Sequence, residues 1–126
     1  MSEGNRIKVL MVEAFKPARE EFIGASLEEM QEAVGGLIEV ISPFDDDICL
    51  VCNEEGKINN LPLNRAIKDG ETIMDIIAGT FFICGAGDED FTSLNGYQVE
   101  KYMDIFKWPE VFYRTGDGIH AMNYLP

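Results

Sequence analysis

At 126 residues, 46% of them hydrophobic and 10% aromatic, the chain is long enough to bury roughly two thirds of the surface it would expose unfolded. Its 23 acidic residues against 10 basic ones give a formal net charge of −13, a field that disfavours nucleic-acid backbones and anionic membranes and favours basic partners or simple solubility. The acids are interleaved with apolar residues throughout, so the charge belongs on a folded surface and not on a disordered tail.

Taken in chain order, Arg6 to Val12 reads as a first strand, because Ile7, Val9 and Met11 alternate with their neighbours before Pro17 punctuates the run. Arg19 to Ile23 returns as a second strand. Ser26 followed by Glu29 is a Ser-x-x-Glu capping box, and Leu27, Met30, Gln31 and Val34 fall near helical spacing, which predicts a short helix over 27–34. Gly35 and Gly36 stop it, since glycine takes the left-handed conformation a helix C-cap requires. Leu37 to Ile41 is a β-branched strand, Ser42 to Asp47 a loop, and Ile48 to Cys52 the next strand. Glu54-Glu55-Gly56-Lys57 has turn chemistry, so Ile48–Cys52 and Lys57–Ile58 are expected to pair as a hairpin. Leu63 to Ile67 is read as one helical turn before Asp69-Gly70, and Ile76 to Cys84, the most hydrophobic segment, as one central strand. From Leu94 or Asn95 the period becomes helical, with Val99, Tyr102, Met103 and Phe106 on one face, and Trp108-Pro109 ends a helix placed at about 95–107. Val111 to Tyr113 adds a few packed residues. Residues 1–5 and about 114–126 are expected to be loosely ordered.

This order of elements predicts an α+β fold in a single domain over 1–126, a mixed β-sheet of β-grasp-like form with one short helix and one C-terminal helix. The longest apolar runs are far short of the ~20 residues a membrane helix needs. The amino terminus lacks a secretory pattern and the three cysteines are an odd number without framework spacing, so a reducing, cytoplasmic location is expected.

Gln31-x-x-Val34-Gly35-Gly36-x-Ile38-Glu39, Asn53-x-x-Gly56-Lys57, Leu61-Pro62-x-Asn64 and Asp75-Ile76-Ile77-Ala78-Gly79-Thr80 together resemble a domain-of-unknown-function family of bacteriophages, plasmids and conjugative elements. The resemblance spans roughly Arg6 to Phe112. It implies an intracellular accessory role in a phage or mobile element and brings no catalytic residues with it.

Each candidate site has a plainer reading beside it. Cys49 and Cys52 have Cys-x-x-Cys spacing, but residues three apart on a strand point to opposite faces, so both, with Cys84, read as structural thiols. His120, the only histidine, has no nucleophile signal near it. The triplets Asp45-Asp46-Asp47 and Asp88-Glu89-Asp90 lack the spacing of a calcium loop and read as solvated loop acids. Asn53 and Asn64 can tie turns to themselves or read a ligand edge, and self-satisfaction is the expectation. A recognition surface is therefore sought first at Glu54, Glu55, Lys57, Asn60, Asn64 and Arg65. The expected function is a non-enzymatic protein binding a protein partner through an acidic surface. In a sharper form it imitates DNA toward a host restriction or defence enzyme. The competing expectation is a small-ligand binder or enzyme using the Asn53–Asn64 loop. No cofactor, no metal, no direct nucleic-acid contact and no membrane contact is expected.

Overall fold

The computed structural model describes residues 6–124. Its elements are β1 (Arg6–Val12), β2 (Arg19–Gly24), α1 (Leu27–Val34), β3 (Ile38–Ile41), β4 (Ile48–Asn53), β5 (Leu63–Asp69), β6 (Thr72–Ala78), β7 (Phe81–Ala86), β8 (Phe91–Thr92), α2 (Gly96–Phe106), β9 (Glu110–Thr115) and β10 (Gly118–Asn123). The main sheet has the order β2-β1-β7-β4-β3, with β8 added beside β7, while β5–β6 and β9–β10 form separate two-stranded sheets.

The class is α+β, as the sequence predicts, but the pairing is not that of a mixed, β-grasp-like sheet. Every ladder among the described residues is antiparallel. The reason is the crossover: α1 carries the chain from the β2 edge to the β3 edge, past the three strands between them, so no two neighbours in the sheet run the same way.

The sheet is apolar on both faces, which central strands need when each face is covered. Toward α1, Ile7, Val9, Met11, Val51, Phe82 and Cys84 meet Met30 and Val34. Toward α2 and the β5–β6 hairpin, Leu10, Val12, Leu50, Phe81 and Ile83 meet Tyr102, Phe106, Ile67 and Ile77. Both helices start and stop where local chemistry dictates. The Ser26 hydroxyl accepts the Glu29 N–H at 3.1 Å, and Gly35, at φ 81°, donates to the Gln31 carbonyl at 2.8 Å. Asn95 and Gln98 form a reciprocal capping box on α2.

Four stretches depart from the sequence reading. The apolar run Ile76–Cys84 is two strands, β6 and β7, split where Gly79 adopts φ 87° and donates its N–H to the Pro62 carbonyl at 2.8 Å. Leu63–Ile67 lies in strand β5, not in a helical turn; register shifts at Leu63/Arg65 and Ile67/Lys68 break the period-two alternation and hide the strand in sequence. Lys57–Ile58 does not pair with β4, because both edges of β4 are taken by β3 and β7, and residues 54–60 instead close as turns through Asn59 N–H to Glu55 O and Leu61 N–H to Gly56 O, each 2.9 Å. The segment from 114 onward, expected to be loose, completes the β9–β10 hairpin as far as Asn123. The expectation of loose order at residues 1–5, 125 and 126 lies outside the described residues.

Candidate functional site

The polar residues singled out from the sequence divide sharply by burial. Asn64 is fully buried and Arg65 is 1% exposed. Asn64 donates its amide to the Val12 carbonyl at 3.0 Å and the Gly79 carbonyl at 2.9 Å, tying the end of β1 to the β6–β7 turn. The Arg65 guanidinium donates from Nε to Phe106 O at 3.0 Å, from Nη1 to Asn64 Oδ1 at 2.8 Å and from Nη2 to Lys16 O at 2.8 Å. Burial lowers its pKa to about 10, with the Glu110 carboxylate acting the other way, so it remains charged at neutral pH. A cation against the final carbonyl of α2 also meets the negative end of the helix dipole. Both side chains spend their hydrogen bonds inside the fold and present nothing to a partner. Asn53 is equally internal: its Nδ2 donates to Val34 O at 3.1 Å and its Oδ1 accepts from Glu55 N–H at 2.8 Å, joining the end of α1 to the turn.

Glu54, Glu55, Lys57 and Asn60, in contrast, are all exposed on that turn, where Asn60 has φ 57°. Lys57 Nζ lies 2.8 Å from Asp75 Oδ1 on β6. The hollow between them, lined by Glu39, Cys52, Asn53, Lys57 and Asp75, has a volume of about 110 Å³, well below the 300–1,000 Å³ usual for small-molecule sites.

The remaining candidates have structural roles. Cys52 faces the α2 side and Cys49 and Cys84 the α1 side, as the strand alternation requires. Burial pushes the Cys52 thiol up to about 11 and the Cys84 thiol up to about 12, while half-buried Cys49 is raised as well. Neutral buried thiols react poorly with electrophiles. In the native protein at neutral pH a thiol reagent is therefore expected to modify Cys49 first and slowly, with Cys52 and Cys84 reacting only on unfolding; rapid native labelling of all three would contradict the burial. The same shifts give a pH dependence: the two buried thiols contribute their full stability below the ordinary thiol value of 9.0, and it is lost as pH rises toward 11 to 12. His120 stacks on Tyr113 with ring centroids 5.3 Å apart, and its Nε2 is 2.8 Å from Thr115 Oγ1, which places it in the β9–β10 hairpin. Asp46 accepts the Tyr102 hydroxyl at 2.7 Å, and that bond, with the Asp47 N–H and Lys101, holds its carboxyl below the ordinary range. Among the described residues no three His, Cys, Asp or Glu side chains are grouped to hold a metal ion.

What the site-by-site reading missed is the distribution of charge. Residues 20–56 contain eleven acids and no lysine or arginine, a signal present in the sequence. They build β2, α1, β3 and β4. Eight of those acids are exposed and make no ion pair among the described residues: Glu28, Glu29 and Glu32 on α1, Glu39 on β3, Asp45 and Asp47 before β4, and Glu54 and Glu55 after it. The basic residues instead cluster near β1, α2 and β5, as in the pairs Lys8–Glu20, Lys68–Glu110 and Lys101–Asp46.

These features define a small antiparallel α+β domain whose buried polar side chains hold its turns in place and whose α1 and β3 side is acidic. The chain belongs to the family described as a domain of unknown function, DUF3846, whose pattern matches residues 7–107. The β9–β10 hairpin thus lies beyond the matched range. No curated protein and no solved structure matches the chain. No helix among the described residues is long and apolar enough to cross a membrane.

Proposed function

We propose that this protein is a non-enzymatic, intracellular accessory protein of a phage or mobile genetic element that binds a basic protein partner through the acidic surface around α1 and β3. The observation that carries the reading is the acid set Glu28, Glu29, Glu32, Glu39, Asp45, Asp47, Glu54 and Glu55, unpaired among the described residues, with no lysine or arginine in the sequence between residues 20 and 56. Such a set of unpaired acids, spread over α1 and both ends of β3, raises the encounter rate with a basic partner, and the attraction weakens as salt screens it. In its sharper form the acid array stands in for DNA phosphates in the basic groove of a host restriction or defence enzyme.

The test is capture of interacting proteins from host cells by the wild-type chain and by a variant carrying Glu28→Gln, Glu29→Gln, Glu32→Gln and Glu39→Gln. The expected partner has a basic contact surface, is released as salt is raised, and is retained several-fold less by the variant. For the DNA-imitating form, duplex DNA competes for the same partner. A partner held equally by both proteins and insensitive to salt would contradict the proposal.

A further inference from the structure

The two outer strands of the main sheet are finished differently. On β2, Arg19 Nη2 lies 2.7 Å from Glu13 and 2.8 Å from Glu21, Lys8 reaches Glu20 at 3.6 Å, and Arg6 Nη2 donates to the Phe22 carbonyl at 2.9 Å. That edge is covered by charge, as sheet edges commonly are. β3 carries Glu39 as its one charged residue among four, Val40 is 42% exposed, and among the described residues no strand lies on its outer side.

The direction of its free backbone groups follows from the register. Leu37 O accepts the Glu54 N–H at 2.8 Å, and Ile38 stands opposite Asn53 and Val40 opposite Val51. In an antiparallel ladder this phase turns the polar groups of residues 37, 39 and 41 toward β4 and those of Ile38 and Val40 outward. Side chains alternate as well: Ile38 packs with the α1 cluster and Ile41 with the α2 cluster, so Val40 shares the α1 side with Ile38, and Glu39 the side of Ile41. The end of β3 opens onto a groove of about 510 Å³ with Ile41, Phe44, Ile67 and Met74 in its lining, together with Asp45, Asp69, Asp75 and one cation, Lys68, which pairs with Glu110 at 3.8 Å. At the other end of β3 stand Glu54 and Glu55.

From this geometry we infer that β3 takes an extended segment of a partner protein as an added strand, the segment alternating apolar residues with lysine or arginine. The inference rests on the acidic-surface reading and gives it a docking mode. Backbone bonds to Ile38 and Val40 supply attachment, apolar side chains lie beside Ile38 and Val40, and basic ones lie beside Glu39, where the neighbouring Lys57 is already paired with Asp75, between the acids at either end. A second copy of this chain is a poor occupant, because a net charge of −13 on each copy sets acid against acid.

The test uses a short peptide of alternating valine and arginine, with the valine–glutamate analogue and a valine–arginine peptide of segregated blocks as controls. Binding to the full chain is followed by fluorescence anisotropy at low and high salt. The alternating peptide is expected to bind best, at least about tenfold better than either control. Val40→Pro removes the outward N–H without touching a bond to β4, and is expected to weaken binding about tenfold relative to Val40→Ala, which keeps that N–H. If Val40→Pro does not fold, an alternating peptide N-methylated along its pairing edge is tested on the wild-type chain, with the same loss expected. Equal binding by Val40→Pro and Val40→Ala, or full affinity of the N-methylated peptide, overturns the strand-addition inference while leaving a salt-sensitive acidic surface standing. Absence of any salt-sensitive binding to arginine peptides overturns both. A concentration-dependent dimer that Val40→Pro abolishes assigns the edge to self-association and likewise overturns the inference.

Discussion

Arg65→Ala is expected to destabilise the protein by about 3–5 kcal/mol, seen as a lower urea midpoint at an unchanged denaturant slope. The magnitude follows from what the guanidinium holds together. It is 1% exposed and reaches three separate parts of the chain: the carbonyl of Phe106 at the end of α2, the carbonyl of Lys16 in the β1–β2 connection, and the side chain of Asn64 beside it on β5. Alanine leaves these acceptors buried without a donor, at about 1–3 kcal/mol for each that water cannot reach, and opens a cavity as well. Arg65→Lys keeps the charge but has no planar fork to span three directions, so it is expected to recover less than half of the loss. Arg65→Met separates packing from charge: if desolvating the cation is costly in the native protein, methionine is tolerated better than alanine. A loss below about 1 kcal/mol for Arg65→Ala would show that water replaces the guanidinium, and that the α2 end does not depend on it.

The second large effect is expected at Gly56. A Cβ built there runs into the backbone carbonyl oxygen of Ala78, at the end of β6. That atom cannot swing aside as a side chain would, because Ala78 is paired with Leu63 and is followed by the Gly79 turn held by Asn64. Gly56→Ala is therefore expected to cost about 2–3 kcal/mol, the range seen when extra volume is forced into a packed site. Gly116→Ala is the control. Beyond its chain neighbours no atom lies within 4 Å of a Cβ placed there, and its stability should stay within about 0.5 kcal/mol of wild type. Circular dichroism melts of both variants under one buffer decide the matter; equal melting points would remove the steric account of Gly56.

The residues behind the family resemblance take on a definite meaning in this light. Gly35 caps α1, Asn53 binds the end of α1, Gly56 passes against β6, Asn64 binds β1 to the β6–β7 turn, and Gly79 makes that turn. Each solves a local problem of backbone direction or buried polar satisfaction. The pattern is thus explained by architecture, and the exposed acids around α1 and β3 are left as the surface on which partner recognition is proposed.

Local chemistry by itself determined β1, β2, α1, β3, β4 and α2, because capping residues, glycine stops and apolar alternation act over a few neighbouring positions. It also determined the charge of the exterior and the divergence of Cys49 from Cys52. Tertiary structure alone decided that Ile76–Cys84 breaks into two strands, since an apolar run interrupted only by Gly79-Thr80 reads alike whether the chain continues or turns there. It decided that β5 is a strand despite its irregular register, and that the chain beyond Arg114 folds back to pair with β9. It also buried Asn64 and Arg65, which look like surface residues by type: their partners at Val12, Lys16, Gly79 and Phe106 are 15 to 52 positions away. Hydrogen bonds closed over such separations depend on how distant segments are brought together, and no short window of sequence contains that information.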